Sequence, residues 1–223
     1  MGVVLLVRHG QASFGAADYD VLSDTGREQA RLLGGYLAER GVSPDRVFHG
    51  ELRRQQHTAE EMAAGGGWTA PRETDPDWDE FDHLAVMSAL APGISDLSDR
   101  REFQRVYELA LARWTSGHEP EGIEPFTGFV ARVRAALDRA CDHAGPGGTA
   151  VVVSSGGPIT AAVAALVDPD GGHADLARIW LRMNVSLVNT SLTRVVVGGS
   201  GTRLLTFNEH PHLPPTGPLL TYR

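Results

Sequence analysis

The sequence predicts an α/β chain, a three-layer α/β/α sandwich whose sheet is mostly parallel with an antiparallel edge. Three observations predict it. Val3-Val4-Leu5-Leu6-Val7 and Ala150-Val151-Val152-Val153 are unbroken apolar runs rich in β-branched residues, the pattern of strands buried on both faces. Stretches with helical apolar spacing alternate with short strand-like runs, and that alternation gives a sheet covered by helices on both sides. Residues 186–197 and 203–207 alternate around Gly198-Gly199-Ser200-Gly201, which reads as a terminal hairpin.

The elements follow in order. Residues 3–7 form the first strand, which ends abruptly in Arg8-His9-Gly10, and residues 11–22 are a polar loop. Ser23-Asp24-Thr25 offers N-caps to a helix over 26–40, with Ala30, Leu33 and Leu37 on one face and Gly41 as its stop. Residues 42–49 hold a short strand around Val47-Phe48, and 51–64 a helix ended by Gly65-Gly66-Gly67. The stretch 69–83 carries too many Pro and Asp residues for a long element. Residues 95–115 and 125–143 have helical periodicity, the latter through Phe129, Val133, Leu137 and Cys141. After the strand at 150–153 comes Ser154-Ser155-Gly156-Gly157-Pro158, and Pro158 suits the first turn of a helix over 159–167. Residues 174–183 read as a helix and 208–223 as Pro- and His-containing coil. Residues 1–223 are expected to form one domain, with a helical insertion at about 84–145 as a cap over the site.

Composition bounds the function. With 42% hydrophobic and 22% charged residues the chain can bury a real core. A net charge of −8 argues against a nucleic-acid partner, so an anionic ligand has to be held by local cations. All 20 basic residues are Arg. A single cysteine, Cys141, excludes an intramolecular disulfide and a multi-cysteine metal site. No stretch reads as a signal peptide or a membrane span, so a cytoplasmic protein without a membrane partner is expected. A homodimer is left open.

Chemistry gathers at strand ends, where open α/β sheets place their sites. Arg8-His9-Gly10 follows the first strand, Leu52-Arg53-Arg54 opens the second helix, Asp77-Trp78-Asp79-Glu80 lies in the irregular stretch, and Ser154 to Gly157 follows the later strand. Two arginines with a histidine suggest a phosphate site, because guanidinium binds phosphate through paired hydrogen bonds and stays charged. A helix N-terminus at Gly157-Pro158 would add backbone donors. A neutral imidazole nitrogen can attack phosphorus, and a nearby carboxylic acid can protonate the leaving oxygen. Taken singly, Arg53 and Arg54 are better explained as a solvated helix start with ordinary ion pairs. His210-Pro211-His212 lacks companion ligands and reads as a surface tail, so no metal or cofactor is expected.

The ordered set resembles the histidine phosphatase superfamily, which includes the cofactor-dependent phosphoglycerate mutases. Val7-Arg8-His9-Gly10-Gln11-Ala12 resembles its nucleophile motif, Leu22-Ser23 to Gly26 with Gln29-Ala30 its first-helix signature, and Leu52 to Ala59 its arginine motif. Trp78-Asp79-Glu80-Phe81 resembles the acid-bearing segment, and Asn189-Thr190-Ser191 a segment on the late strand. The resemblance implies a phosphoglycerate mutase-like fold and a phosphatase acting on a small phosphorylated substrate. His9 would be the nucleophile, Arg8 and Arg54 the phosphoryl clamp, and Glu80 the general acid, chosen by register over Asp77, Asp79 and Asp82. Gln11, Ser13, Ser155 and Gly156 would complete the substrate site. The family's second histidine falls at Ser155. Either Ser155 and the helix N-terminus suffice, or His83, His210 or His212 substitutes, or the chain binds phosphorylated ligands without turning them over. A mutase-type phosphotransferase is the remaining alternative.

Overall fold

β1 (Gly2–Arg8) is the spine of the sheet. In the computed structural model, which describes residues 1–13, 20–91 and 100–222, it pairs in parallel with β4 (Thr149–Ser154) on one side and antiparallel with β5 (Leu192–Gly198) on the other. The rest of the sheet is β2 (Arg46–His49), β3 (Arg72–Thr74) and β6 (Gly201–Glu209), in the order β3-β2-β4-β1-β5-β6. All pairings are parallel except β1–β5 and β5–β6, so the mostly parallel sheet with an antiparallel edge is as the sequence reads. The parts of the expected 11–22 loop and 95–115 helix that fall on residues 14–19 and 92–99 lie outside the described residues.

The unbroken apolar strands are explained by burial on both faces. Val4 and Leu6 of β1, with Ala150 and Val152 of β4, pack into a core shared with α5 (Phe126–Ala144), α6 (Gly156–Val167) and α7 (His173–Met183). Leu5 and Val7, with Val151 and Val153, face the other way, against α1 (Asp24–Ala38) and α2 (Arg53–Gly66). Truncating Leu6, which is fully buried, is expected to cost about 2–5 kcal/mol. Two further helices, α3 (His83–Leu90) and α4 (Arg100–Thr115), pack on one another. α5, by contrast, lies directly against β1 and β4 and belongs to the sandwich.

Local chemistry sets the helix ends. Ser23 caps α1 by accepting from the Gly26 amide at 3.1 Å. Gly67 ends α2 in the left-handed region, φ 65°. Pro158 sits in the first turn of α6, where its missing N–H leaves no bond unmade.

As the sequence reads, the stretch 69–83 carries only short elements before α3: a three-residue exposed edge strand, β3, and a 3₁₀ turn over Pro76–Trp78. Both are too short to leave a periodic signal. The late strand starts at Leu192, not at residue 186, because residues 189–190 form a turn in which Thr190 has φ 58°. Thr190 gives its amide to the Arg8 carbonyl at 3.1 Å, so the turn is held by the end of β1.

Candidate active site

The ends of β1 and β4, the starts of α2 and α6, and the loop before α3 meet at one edge of the sheet. His9 follows β1 and is 6% exposed. Its Nδ1 lies 2.7 Å from the Gly10 carbonyl. A carbonyl only accepts, so Nδ1 carries the hydrogen and Nε2 keeps its lone pair. Arg54, first turn of α2, donates its Nε–H toward that lone pair at 3.3 Å. Burial, then the charges of Arg54 and Arg8, hold His9 well below its ordinary value, against the bond to Gly10. The imidazole is thus biased toward its neutral form, with the hydrogen on Nδ1 and Nε2 facing Arg54.

The backbone around His9 is fastened on every side. The His9 amide donates to the Ser154 carbonyl at 2.8 Å. The Gly10 amide donates to Thr58 Oγ1 at 3.0 Å, and that hydroxyl donates to the Arg54 carbonyl at 2.7 Å. Thr58 thus ties the His9-Gly10 turn to α2, a physical reason for the four-residue spacing of Arg54 and Thr58. Gly10 packs against Gly26 so closely that a β-carbon would lie 2.4 Å from the Gly26 carbonyl oxygen.

Arg8 donates Nη1 to the carbonyls of Leu187 and Tyr222, the latter at 3.2 Å. Its Nε lies 4.0 Å from where a β-carbon of Gly156 would stand, so the guanidinium flanks the start of α6. Arg54 also pairs with Asp20, Nη1 to Oδ1 at 2.6 Å, and Asp20 accepts from the Arg53 amide at 2.8 Å. Arg53 is the first residue of α2, and among the described residues no hydrogen bond between it and His9 is seen.

Four carboxylates compete for the acid position, and their surroundings differ. Asp77 pairs with Arg139 at 2.7 Å. Asp79 accepts from the amide of Glu51 at 2.8 Å and lies 3.4 Å from that of Leu52, at the entrance to α2. Asp82 caps α3 by accepting from the Ala85 amide at 2.9 Å. Glu80 instead accepts from the Gly157 amide at the start of α6, at 3.0 Å, and feels the charges of Arg54 and Arg8. Burial pushes its carboxyl above the ordinary range, against those amide and guanidinium partners. Phe81 anchors the loop, stacking on Trp114 with ring centroids 4.6 Å apart.

Ser155 is 1% exposed and is the N-cap residue of α6, yet its hydroxyl makes no capping bond. It accepts from Gln55 Nε2 at 2.9 Å. Gln11 is turned to α1, its Oε1 accepting from Ser23 Oγ at 3.0 Å. Ser13 bonds through its amide to the Val21 carbonyl, and among the described residues no hydrogen bond joins its hydroxyl to His9, Arg8 or Arg54. His83 opens α3 and is held below its ordinary value by burial and then by the charge of Arg54, against Asp82. His210 turns to its own segment, Nδ1 lying 2.9 Å from the Asn208 carbonyl. His212 is not on a surface tail. Its Nε2 lies 2.9 Å from Thr190 Oγ1 and its ring is tilted against Tyr36. Among the described residues no three His, Cys, Asp or Glu side chains gather to hold a metal, and no helix is long and apolar enough to cross a membrane.

The model of the histidine phosphatase superfamily (branch 1) matches residues 4–210. The chain belongs to that superfamily. Its fold agrees with those of solved structures. YhfR of Bacillus stearothermophilus superposes with a TM-score of 0.71 at 20% identity, covering 94% of this chain and 98% of that one. A mycobacterial glucosyl-3-phosphoglycerate phosphatase gives 0.64 at 24%, covering 93% and 99%. A phosphoserine phosphatase of Entamoeba histolytica, solved as a mutant with phosphoserine, gives 0.67 at 18%, covering 96% and 100%. Among curated proteins no sequence match is found.

Within this histidine phosphatase-family site, sequence reasoning passed over four residues. Asp20 reaches Arg54, Gln55 reaches Ser155, and Asn189 and Gln29 brace the turn around His9. Gln55, Gln29 and Asn189 all lie in motifs that resemble the family's, but a buried amide has no spacing rule that announces its partner.

Proposed function

We propose that the chain is a phosphatase that hydrolyses a small phosphomonoester through a phosphohistidine at His9. The single observation that supports this most is the state of His9: neutral, with Nδ1–H committed to Gly10 and the Nε2 lone pair facing Arg54. Nε2, freed as the Arg54 Nε–H turns from it to a phosphate oxygen, attacks phosphorus and forms the P–N bond while the ester P–O bond breaks. Protonated Glu80 gives its hydrogen to the leaving oxygen, and its raised value favours that form. Arg8, Arg54 and the first amides of α6 take the charge of the three peripheral oxygens. In the second half Glu80, now a carboxylate, removes a proton from the attacking water, the P–N bond breaks, and inorganic phosphate leaves. Arg54 exchanges Asp20 for phosphate when substrate enters.

Ser155 stands where the family's second histidine is expected, and its hydroxyl can still donate one hydrogen bond while accepting from Gln55. We assign the missing imidazole contribution to His83. It is the candidate that senses the charge of Arg54, whereas His212 is engaged by Thr190 and His210 by Asn208. Helices α3 and α4 form the cap, and the substrate carries its phosphate on a small polar body. The relatives' names, a glucosyl-3-phosphoglycerate phosphatase and a phosphoserine phosphatase, agree with that class.

The test is turnover of an aryl phosphate and a panel of small phosphomonoesters by wild type and His9→Ala. Release of phosphate by wild type alone supports the reading. Wild type inert across the panel while still binding orthovanadate overturns it in favour of a phospho-ligand binder.

A further inference from the structure

We infer that the C-terminal segment is a positioning element for the nucleophile, with the Thr221 hydroxyl as the group that couples two buried amides bracing His9; this rests on His9 acting as proposed. The Asn189 side chain donates Nδ2–H to the His9 carbonyl at 3.1 Å. The Gln29 side chain accepts, at Oε1, from the Gln11 amide at 2.9 Å. These two bonds grip the chain on either side of Gly10. Both amides are fully buried, and both meet Thr221. Thr221 Oγ1 donates to Asn189 Oδ1 at 2.9 Å and accepts from Gln29 Nε2 at 2.9 Å. The Thr221 carbonyl accepts from the Asn189 amide at 2.8 Å, and the Leu219 carbonyl from Gln29 Nε2 at 2.8 Å.

The orientation of this ring is determined at its ends. The His9 carbonyl only accepts and the Gln11 amide only donates, so neither side-chain amide can flip without losing a bond. Thr221 is then the one group that donates to the first and accepts from the second. Next to it, the Tyr222 carbonyl receives Arg8 Nη1. Residues 219–222 therefore reach Arg8, His9 and Gln11, three of four consecutive positions of the nucleophile turn, from the far end of the chain. A misplacement of about 1 Å at a reacting group can cost on the order of a hundredfold in rate, so slack in this ring is read in kcat before KM.

The test compares Thr221→Val, which keeps the shape and removes both bonds, with Thr221→Ser, which keeps both. Steady-state kinetics is run beside ¹⁵N-histidine NMR of the His9 ring, a readout that needs no turnover. The expected result for valine is a kcat about tenfold lower with KM unchanged and shifted His9 ring signals, and for serine a return to wild-type values. Thr221→Ala is read in the same way if the valine chain does not fold. Unchanged His9 signals in a folded valine or alanine variant, or equal losses in valine and serine variants, overturn the inference. If wild type turns over no phosphomonoester, the phosphatase reading fails separately, and the ring signals still decide the positioning role.

Discussion

Arg54 donates its Nε–H toward the lone pair of His9 Nε2, the ring nitrogen opposite the one bonded to Gly10. That cation aims the imidazole and, after burial, is the next cause that holds it below its ordinary value. Arg54→Ala is expected to lower kcat by about 10²–10³ through loss of a preorganised donor. It also removes a charge that depresses His9, so the acid limb of the rate profile moves to higher pH. A kcat–pH profile of the variant checks both effects.

In the proposed mechanism Glu80 sets the other limb. His9 would work when neutral, so activity is expected above its depressed value. Glu80 would donate when protonated, so activity is expected to fall as pH rises through its raised value. Glu80→Gln is expected to abolish that falling limb and lower kcat by about 10²–10⁴. The loss is larger for alkyl than for nitrophenyl esters, whose leaving group needs no proton. Comparing the two esters over pH checks it.

Gly157 is required by Glu80. A β-carbon at Gly157 would stand 2.0 Å from Glu80 Oε1. Gly157→Ala is expected to push the carboxyl out of its seat and reproduce the Glu80→Gln profile in a folded protein. Circular dichroism with the same rate profile checks this.

His83→Ala is expected to reduce kcat by about 10²–10³, the scale of one lost donor at the phosphoryl group. His210→Ala, with its ring turned to the Asn208 carbonyl, is expected to change nothing. Parallel turnover assays of the two variants decide between them.

Acid destabilises the fold through buried histidines. Burial lowers His212 to about 4. Its folded value lies below its unfolded value, so its contribution is intact above about 6.5 and is lost as pH falls toward 4. From pH 7 to pH 5 this amounts to about 2 kcal/mol. Urea denaturation at both pH values is expected to show His212→Asn losing correspondingly less than wild type.

The central strands and the turn that ends β1 were legible because burial on both faces and a strand-end Arg-His-Gly leave local signatures. Glu80 was chosen by register alone, and its three rivals prove to be tied to Arg139, to the α2 entrance and to the α3 cap. What was not legible depends on distance along the chain. Asn189 and Thr190 bend away from a strand because the end of β1 offers them carbonyls 180 residues earlier in the sequence. Thr221 and His212 read as coil because their partners, Gln29 and Thr190, share no spacing with them.

The most direct measurement is capture of the phosphoryl group on the protein. Wild type quenched in alkali during turnover of a ³²P-labelled phosphomonoester is predicted to carry acid-labile, base-stable label on the peptide containing His9, and His9→Asn to carry none. Turnover with no label on that peptide, or turnover surviving His9→Asn, would contradict the account.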